Sequence, residues 1–202
     1  MDLFGDWEKW NYATNGLPLL ARIAVSHYQF ETIHPFIDGN GRIGRLLAIL
    51  FLIDRGPLSD HYMVLSPYLE SRRSRYIDLL AQVTETGDFD PWVRFFAEAV
   101  RAEAEAARRR ISALTHFRDA TVDRLRRSGL KGVIIELAEQ LIERPVLTPT
   151  VVAQAMGLSY QTANRAIGRL VDEQILDEAT GRTYGRIFVA KEVMNLLRLG
   201  PE

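Results

Sequence analysis

The chain has 202 residues, of which 47% are hydrophobic, carries a formal net charge of −1 and contains no cysteine. This length and composition predict one large or two small domains with a real core. They exclude disulfides, thiolate zinc sites and a surface that is basic throughout. The acidic start lacks a signal-peptide pattern, and the apolar run of residues 46–53 is too short to cross a bilayer, so we expect a cytoplasmic protein without membrane contact.

The first part of the chain predicts three helices. Residues 2–12 have an amphipathic pattern, and a second helix spans residues 17–33 with apolar side chains at helical spacing. Pro35 ends this helix, because the residue before a proline avoids the α region. After a loop over residues 35–41, a third helix spans residues 41–55. It is apolar on nearly every face, which is typical of the buried central helix of a bundle.

The loop between the second and third helices holds the residue types of a phosphate site. Residues 34–45 read HPFIDGNGRIGR. Its glycines allow close approach of the backbone to a ligand, and N–H groups at a helix start face an anion. Arg42 and Arg45 are three apart and would share a face near the positive helix end. Asp38 offers the hard oxygen that Mg²⁺ prefers, and His34 can accept a proton near neutral pH.

Two further helices are predicted before the composition changes. One begins at Ser66–Pro67, with the serine as N-cap, and continues to Val83. The other begins at Asp90–Pro91 and continues to Arg127. Residues 100–128 are rich in alanine, glutamate and arginine and only partly apolar, so we interpret them as a helical arm.

The last part of the chain predicts a small domain with its own order of elements. A helix over residues 133–141 precedes one opened by Thr148–Pro149 and one capped by Ser159. Two β-rich runs follow, at residues 175–178 and 185–189. This order predicts a winged helix-turn-helix.

The third helix of that domain has side chains suited to phosphates and base edges. Acidic residues such as Asp172 and Glu173 lie nearby, so the sequence leaves DNA binding open against protein interaction or homodimer formation. The candidate DNA-binding residues are Tyr160, Gln161, Thr162, Asn164, Arg165 and Arg169.

The sequence of residues 34–45 resembles the signature of the Fic family, His-x-Phe-x-Asp/Glu-Gly-Asn-Gly-Arg-x-x-Arg, at every fixed position. The resemblance implies a mainly α fold and transfer of AMP from ATP to a hydroxyl of a target protein. The C-terminal part resembles the domain that many Fic proteins carry after a Fic-type helical bundle. We therefore expect a catalytic core at residues 1–99, an arm at 100–128 and a winged helix-turn-helix domain at 129–202.

The resemblance also implies roles for the loop residues. His34 would be the general base for a Tyr, Thr or Ser hydroxyl, and Asp38 would hold Mg²⁺ on the α- and β-phosphates. Arg42 and Arg45 would neutralise the β- and γ-phosphates. The Asn40 side chain would aid binding of the α-phosphate. The backbone N–H groups of the anion hole would come from Gly39, Asn40, Gly41 and Arg42.

Two neighbouring positions refine this expectation. The Doc-type branch, which transfers phosphate, has lysine where this chain has Gly41, so the glycine favours AMP transfer. Phe36 is expected to anchor the loop in the core.

The chain begins about thirty residues before His34, and no glutamate is followed by glycine or asparagine. The N-terminal part of the family domain, with its flap, and the inhibitory segment are therefore expected to be missing from this sequence.

Three alternatives remain at this stage. His27, Glu31 and His34 have helical spacing that can hold a metal ion, although such groups can also pack along one helix face. The chain could be a DNA-binding regulator whose Fic part only binds nucleotide. It could also catalyse the reverse reaction, removal of AMP from a modified protein, with the same residues.

Overall fold

The computed structural model describes residues 2–13 and 16–198, which are mainly helical. They form two compact units with a boundary between Ala107 and Arg108. The domain limits expected from the sequence stay a prediction, and their ends, Met1 and residues 199–202, lie outside the described residues. Of the described helices, none combines the length and apolar content that crossing a membrane requires.

In its described residues, the first unit contains five helices, α1–α5, and the first part of a long sixth helix. The long helix, α6, continues into the second unit. The bounds are α1 Leu3–Tyr12, α2 Leu19–Ile33, α3 Asn40–Asp54, α4 Ser66–Ser71, α5 Arg73–Thr86 and α6 Asp90–Arg127.

The structure confirms the helices predicted at the start of the chain to within two residues at either end. The predicted burial of α3 on every face is wrong. Leu46 is 55% exposed and Leu50 is 47% exposed, whereas Ala48, Ile49 and Leu52 are buried. Apolar residues are common at protein surfaces, so an apolar sequence alone does not tell which side of a helix is covered.

The helix predicted from Ser66 to Val83 is interrupted. Arg72 has φ −123° and ψ 31°, which separates α4 from α5. Ser66 is the first residue of α4 and not its N-cap. The first turn of α4 is instead stabilised by Glu103, a fully buried residue of α6, whose Oε1 accepts a hydrogen bond of 2.8 Å from Tyr68 N. A carboxylate at a helix N-terminus compensates N–H groups that lack partners within the helix.

Aromatic side chains fix the outer helices of the first unit to α2. Trp92 Nε1 on α6 donates to Ala24 O at 2.8 Å, and Trp7 Nε1 on α1 donates to Ser26 O at 3.0 Å. The beginning of the region predicted as an arm belongs to this core, since Val100 is buried in it. The most deeply buried large apolar side chains of the first unit are those of Phe30, Leu65, Trp92, Phe95 and Phe96.

The second unit combines the end of α6 with short helices and a small sheet. The sheet is three-stranded and antiparallel in the order β1-β3-β2, with Val146 and Asp177 both paired with Val189. A 3₁₀ turn follows α7. The bounds are α7 Val133–Glu139, β1 Val146–Leu147, α8 Pro149–Met156, α9 Tyr160–Asp172, β2 Asp177–Glu178, β3 Phe188–Val189 and α10 Lys191–Leu197.

The predicted caps of this unit are confirmed. Thr148 Oγ1 accepts from Val151 N, and Ser159 Oγ accepts from Thr162 N, each at 3.2 Å. The strands are shorter than predicted, and β1 and α10 were not predicted at all, because two-residue strands and a seven-residue helix have too little periodicity to be recognised. Phe117 of α6 belongs to the core of this unit, so α6 contributes to both cores.

The close approach of α2 and α3 depends on Gly44. A Cβ added there would lie 2.7 Å from Glu31 Oε1 and 3.2 Å from both His27 Cε1 and Phe30 Cδ1. A side chain at this position would push α3 away from α2. Because α2 and α3 carry the two ends of the loop at residues 34–39, their spacing sets the geometry of that loop.

We expect Gly44→Ala to lower the free energy of unfolding of the first unit by about 1–3 kcal/mol, because the added methyl group overpacks the contact with α2. Gly41→Ala is the control in the same helix: the atom nearest to its Cβ would be Nη1, at the far end of the Arg45 side chain, at 3.3 Å, and alanine favours a helix by about 1 kcal/mol. Urea unfolding followed by tryptophan fluorescence measures this unit alone, since Trp7, Trp10 and Trp92 all lie in it. Equal stability of the two variants would contradict the prediction.

Candidate active site

The loop between α2 and α3 is bounded by two residues in the left-handed conformation. His34, the C-cap of α2, has φ 50° and ψ 56°. Gly39, the N-cap of α3, has φ 87° and ψ 4°. A positive φ is ordinary for glycine but uncommon for histidine, and Gln174 is the other such residue in the described part of the chain. A non-glycine residue held in this region is a feature that clusters at functional sites.

The Asn40 side chain holds the loop from within. Its Oδ1 accepts from Phe36 N at 3.0 Å, and its Nδ2 donates to Phe36 O at 2.6 Å. Asn40 is only 2% exposed. The amide thus binds the loop backbone through Oδ1 and one of its two Nδ2 hydrogens, and its predicted part in binding the α-phosphate stays a prediction.

Phe36 is fixed in the loop by the hydrogen bonds of its backbone to the Asn40 side chain, whereas its ring is largely exposed. The ring is 44% exposed and lies 6.3 Å from the Phe30 ring between centroids. The expectation of a core anchor is thus wrong for the side chain. Ile37, the next residue, is fully exposed.

The His34 ring is exposed at the end of α2, and its Nδ1 lies 3.3 Å from Glu31 O. A carbonyl oxygen can only accept, so this hydrogen bond assigns the proton of the neutral ring to Nδ1. Nε2 then carries the lone pair. The ring can accept a proton at Nε2 from a group that approaches from solvent.

The N-terminus of α3 presents N–H groups at the other end of the loop that His34 begins. The helix has no side-chain cap among the described residues, so the N–H groups of Asn40, Gly41 and Arg42 are without partners inside the helix. The N–H of Gly39 differs from them, since it donates to Asp38 Oδ1 at 2.7 Å. An uncapped helix start of this kind favours an anion.

Asp38 and Arg42 form an ion pair at the surface. Arg42 Nη2 lies 3.2 Å from Asp38 Oδ2, and the two side chains are 74% and 89% exposed. Exposed pairs contribute about 0–1 kcal/mol, so a phosphate and a cation can replace the two partners at little cost. The accessible carboxylate of Asp38 is the donor type that fits Mg²⁺.

Arg45 has different surroundings from Arg42. Its side chain is only 17% exposed, its Nε donates to Ser66 Oγ at 2.9 Å, and its Nη2 lies 3.7 Å from Glu70 Oε1. Residues of α4 therefore orient this guanidinium. The sequence pointed to neither residue as a partner of Arg45: Ser66 was predicted only as a helix N-cap, and both lie more than twenty residues after the motif.

The proposed metal constellation of His27, Glu31 and His34 is wrong, since the described residues contain no group of three or more metal-binding side chains. The His27 ring is buried, stacks on Trp92 and has its Nε2 3.0 Å from Tyr76 Oη. Burial lowers the pKa of His27 to about 4, with a smaller contribution from the Arg45 charge, against a backbone hydrogen bond with Gly44 that raises it. The ring is thus a neutral part of the core.

The candidate DNA-binding residues lie on α9, whose opposite side packs into the core through Ala163, Ile167 and Leu170. Asn164 is half-buried, and its Oδ1 accepts from Arg186 Nη2 at 2.8 Å. Arg169 Nη1 lies 3.6 Å from Asp172 Oδ2. The exposed members are Tyr160, Gln161, Thr162, Arg165 and Arg169.

Comparison with known proteins bears on the part of the chain that holds the loop. Residues 2–52 match the sequence model of the Fic/DOC family. Protein adenylyltransferase Fic of Drosophila willistoni is 39% identical over 98 residues, which are 48% of this chain and 18% of that protein. The same-named protein of Drosophila grimshawi is 40% identical over 85 residues, 42% of this chain and 16% of that protein.

This chain spans less than a fifth of the length of these curated relatives. A crystal structure of a Fic family protein from Desulfovibrio desulfuricans G20 is similar with a TM-score of 0.47 and 25% identity, covering 93% of this chain and 54% of that one.

Proposed function

We propose that this chain carries the catalytic residues of a protein adenylyltransferase, which transfers AMP from ATP to a Tyr, Thr or Ser hydroxyl of a target protein. The observation that carries the proposal is the short loop that runs from the exposed His34 ring, whose Nδ1 is held by Glu31 O, to the uncapped start of α3. The match of residues 2–52 to the Fic/DOC family and the names of the relatives support the same reaction.

The reaction follows from these positions. The target hydroxyl gives its proton to His34 Nε2 while its oxygen attacks the α-phosphorus of ATP. The bond from that phosphorus to the bridging oxygen breaks, and pyrophosphate leaves. The N–H groups of Asn40, Gly41 and Arg42 stabilise the phosphate charge, which is the main requirement of such transfers.

The charged side chains would hold the rest of the nucleotide. Arg45, fixed by Ser66 and Glu70, would bind the terminal phosphates, and Arg42 would join it after leaving Asp38. Asp38 would then hold Mg²⁺, which supplies charge neutralisation on the phosphates. Gly41 supports the AMP-transferring orientation, because the phosphate-transferring branch has lysine at this place.

His34→Ala should reduce transfer of label from α-labelled ATP to protein by a factor of about 10²–10⁴, the usual contribution of a general base, without loss of ATP·Mg²⁺ binding. His61→Ala is the control, since its side chain is 86% exposed and lies outside the loop. Label retained by His34→Ala would contradict the proposal.

Two further assays separate the alternatives to AMP transfer. Transfer from γ-labelled ATP would indicate phosphate transfer. Release of AMP from a pre-modified protein would indicate the reverse reaction. Nucleotide binding without either transfer would indicate a regulator that only binds nucleotide.

We also propose that the second unit is a winged helix-turn-helix domain that binds duplex DNA through α9. The hydrogen bond from Arg186 to Asn164 favours this role, because it ties the segment between β2 and β3 to α9, while Arg165 stays exposed on the same helix. Tyr184, in that segment, is 88% exposed. Exposed arginine, glutamine and aromatic side chains are suited to phosphates and bases.

Arg165→Ala should weaken duplex DNA binding about tenfold and reduce its salt dependence, since one cationic contact is lost. Arg118→Ala, an exchange on α6 outside this surface, is the control. Fluorescence anisotropy with a labelled duplex at several salt concentrations measures both. An equal loss of DNA affinity in the two variants, or the absence of salt-dependent DNA binding by the unaltered chain, would contradict the proposal. A role in protein interaction or dimerisation would then remain.

A further inference from the structure

Glu31, near the end of α2, is one of two largely buried acidic residues described in the first unit, the other being Glu103. The Glu31 side chain is 14% exposed, and its Oε1 makes no hydrogen bond to any described residue. A buried carboxylate without a hydrogen-bond donor is costly, so opposite charge nearby must compensate it.

The compensating groups belong to the proposed active site. Burial raises the pKa of Glu31 above its ordinary value, whereas the charges of Arg45 and His34 lower it. Gly41 lies between the carboxylate and the arginine: a Cβ there would be 3.3 Å from Arg45 Nη1 and 3.8 Å from Glu31 Oε1. The carboxylate therefore faces Arg45 next to the first turn of α3.

The backbone of the same residue contacts the proposed base. Glu31 O accepts the hydrogen bond from His34 Nδ1 at 3.3 Å. One residue of α2 thus touches the base with its main chain and attracts the phosphate-binding arginine with its side chain. The titratable and charged groups around its carboxylate are His27 and His34 on α2, Arg45 on α3 and Tyr76 on α5.

We propose that Glu31 is a positioning residue that couples the base to the phosphate-binding arginine: its main-chain oxygen orients His34, and its carboxylate attracts the Arg45 guanidinium, whose direct partners are Ser66 and Glu70. The inference rests on the proposed function.

The coupling is tested without any enzyme assay by NMR titration of the Glu31 carboxyl carbon. Arg45→Gln should raise the titration midpoint of Glu31, because a neighbouring positive charge is lost. His34→Asn should raise it too, and this exchange of an exposed side chain keeps the fold intact. Arg42→Gln is the matched control, since Arg42 pairs with Asp38, and it should leave the midpoint unchanged. An unchanged midpoint in the first two variants, or an equal shift in the control, would overturn the proposal.

The consequence for catalysis is tested with Glu31→Gln, which keeps the size of the side chain and removes its charge. We expect turnover with α-labelled ATP, measured at saturating ATP·Mg²⁺, to fall about tenfold, because the base and the arginine lose their common positioning group. Glu105→Gln, at an exposed glutamate on α6, is the control. Unchanged turnover in Glu31→Gln would overturn the positioning role. If the unaltered chain binds no ATP, the proposed function fails, while the titration still decides the coupling by itself.

Discussion

The candidate site depends on the paired hydrogen bonds between the Asn40 side chain and the Phe36 backbone. They close the loop over the first residue of α3, and their burial protects them from competition by water. With the asparagine turned inward, no described side chain caps the helix, and its first N–H groups have no partner within the helix. The loop thus keeps polar groups unsatisfied at the place where a phosphate would satisfy them.

Beneath the loop, the spacing of α2 and α3 determines where its two ends lie. Gly44 allows the approach, and the space left by its missing side chain is taken by Glu31, His27 and Phe30. His27 is neutral and enclosed by aromatic rings, so it acts as a rigid polar element of the core. The site is therefore built on packed helices, and its exposed members are the loop residues and the Asp38–Arg42 pair.

Much of this architecture was predictable from local pattern. Helical spacing predicted α1, α2 and α3, and the residue types at Thr148 and Ser159 indicated helix starts. The types and order of the loop residues indicated a phosphate site. The surroundings of Arg45 were not predictable, because Ser66 and Glu70 reach it from a separate helix. The stabilisation of the first turn of α4 was not predictable either, since the stabilising carboxylate, that of Glu103, comes from α6. Contacts between distant parts of a chain leave no periodic signal in its sequence.

The same limit applies to the loop and to the predicted metal site. Asn40 has the right chemistry for a phosphate, but only the folded loop shows that its amide binds the Phe36 backbone. His27, Glu31 and His34 have the spacing of metal ligands, but His27 turns into the aromatic core while His34 leaves the helix in a left-handed conformation. Spacing places residues on a face and does not fix which direction each side chain takes.

The central claim is that the amide-rich start of α3 binds the nucleotide. The most direct measurement is the change of backbone ¹H–¹⁵N shifts during titration with ATP·Mg²⁺. We expect the N–H groups of Asn40, Gly41 and Arg42 to shift most and to saturate together. Saturable shifts confined to other parts of the chain, with these three amides unmoved, would contradict it.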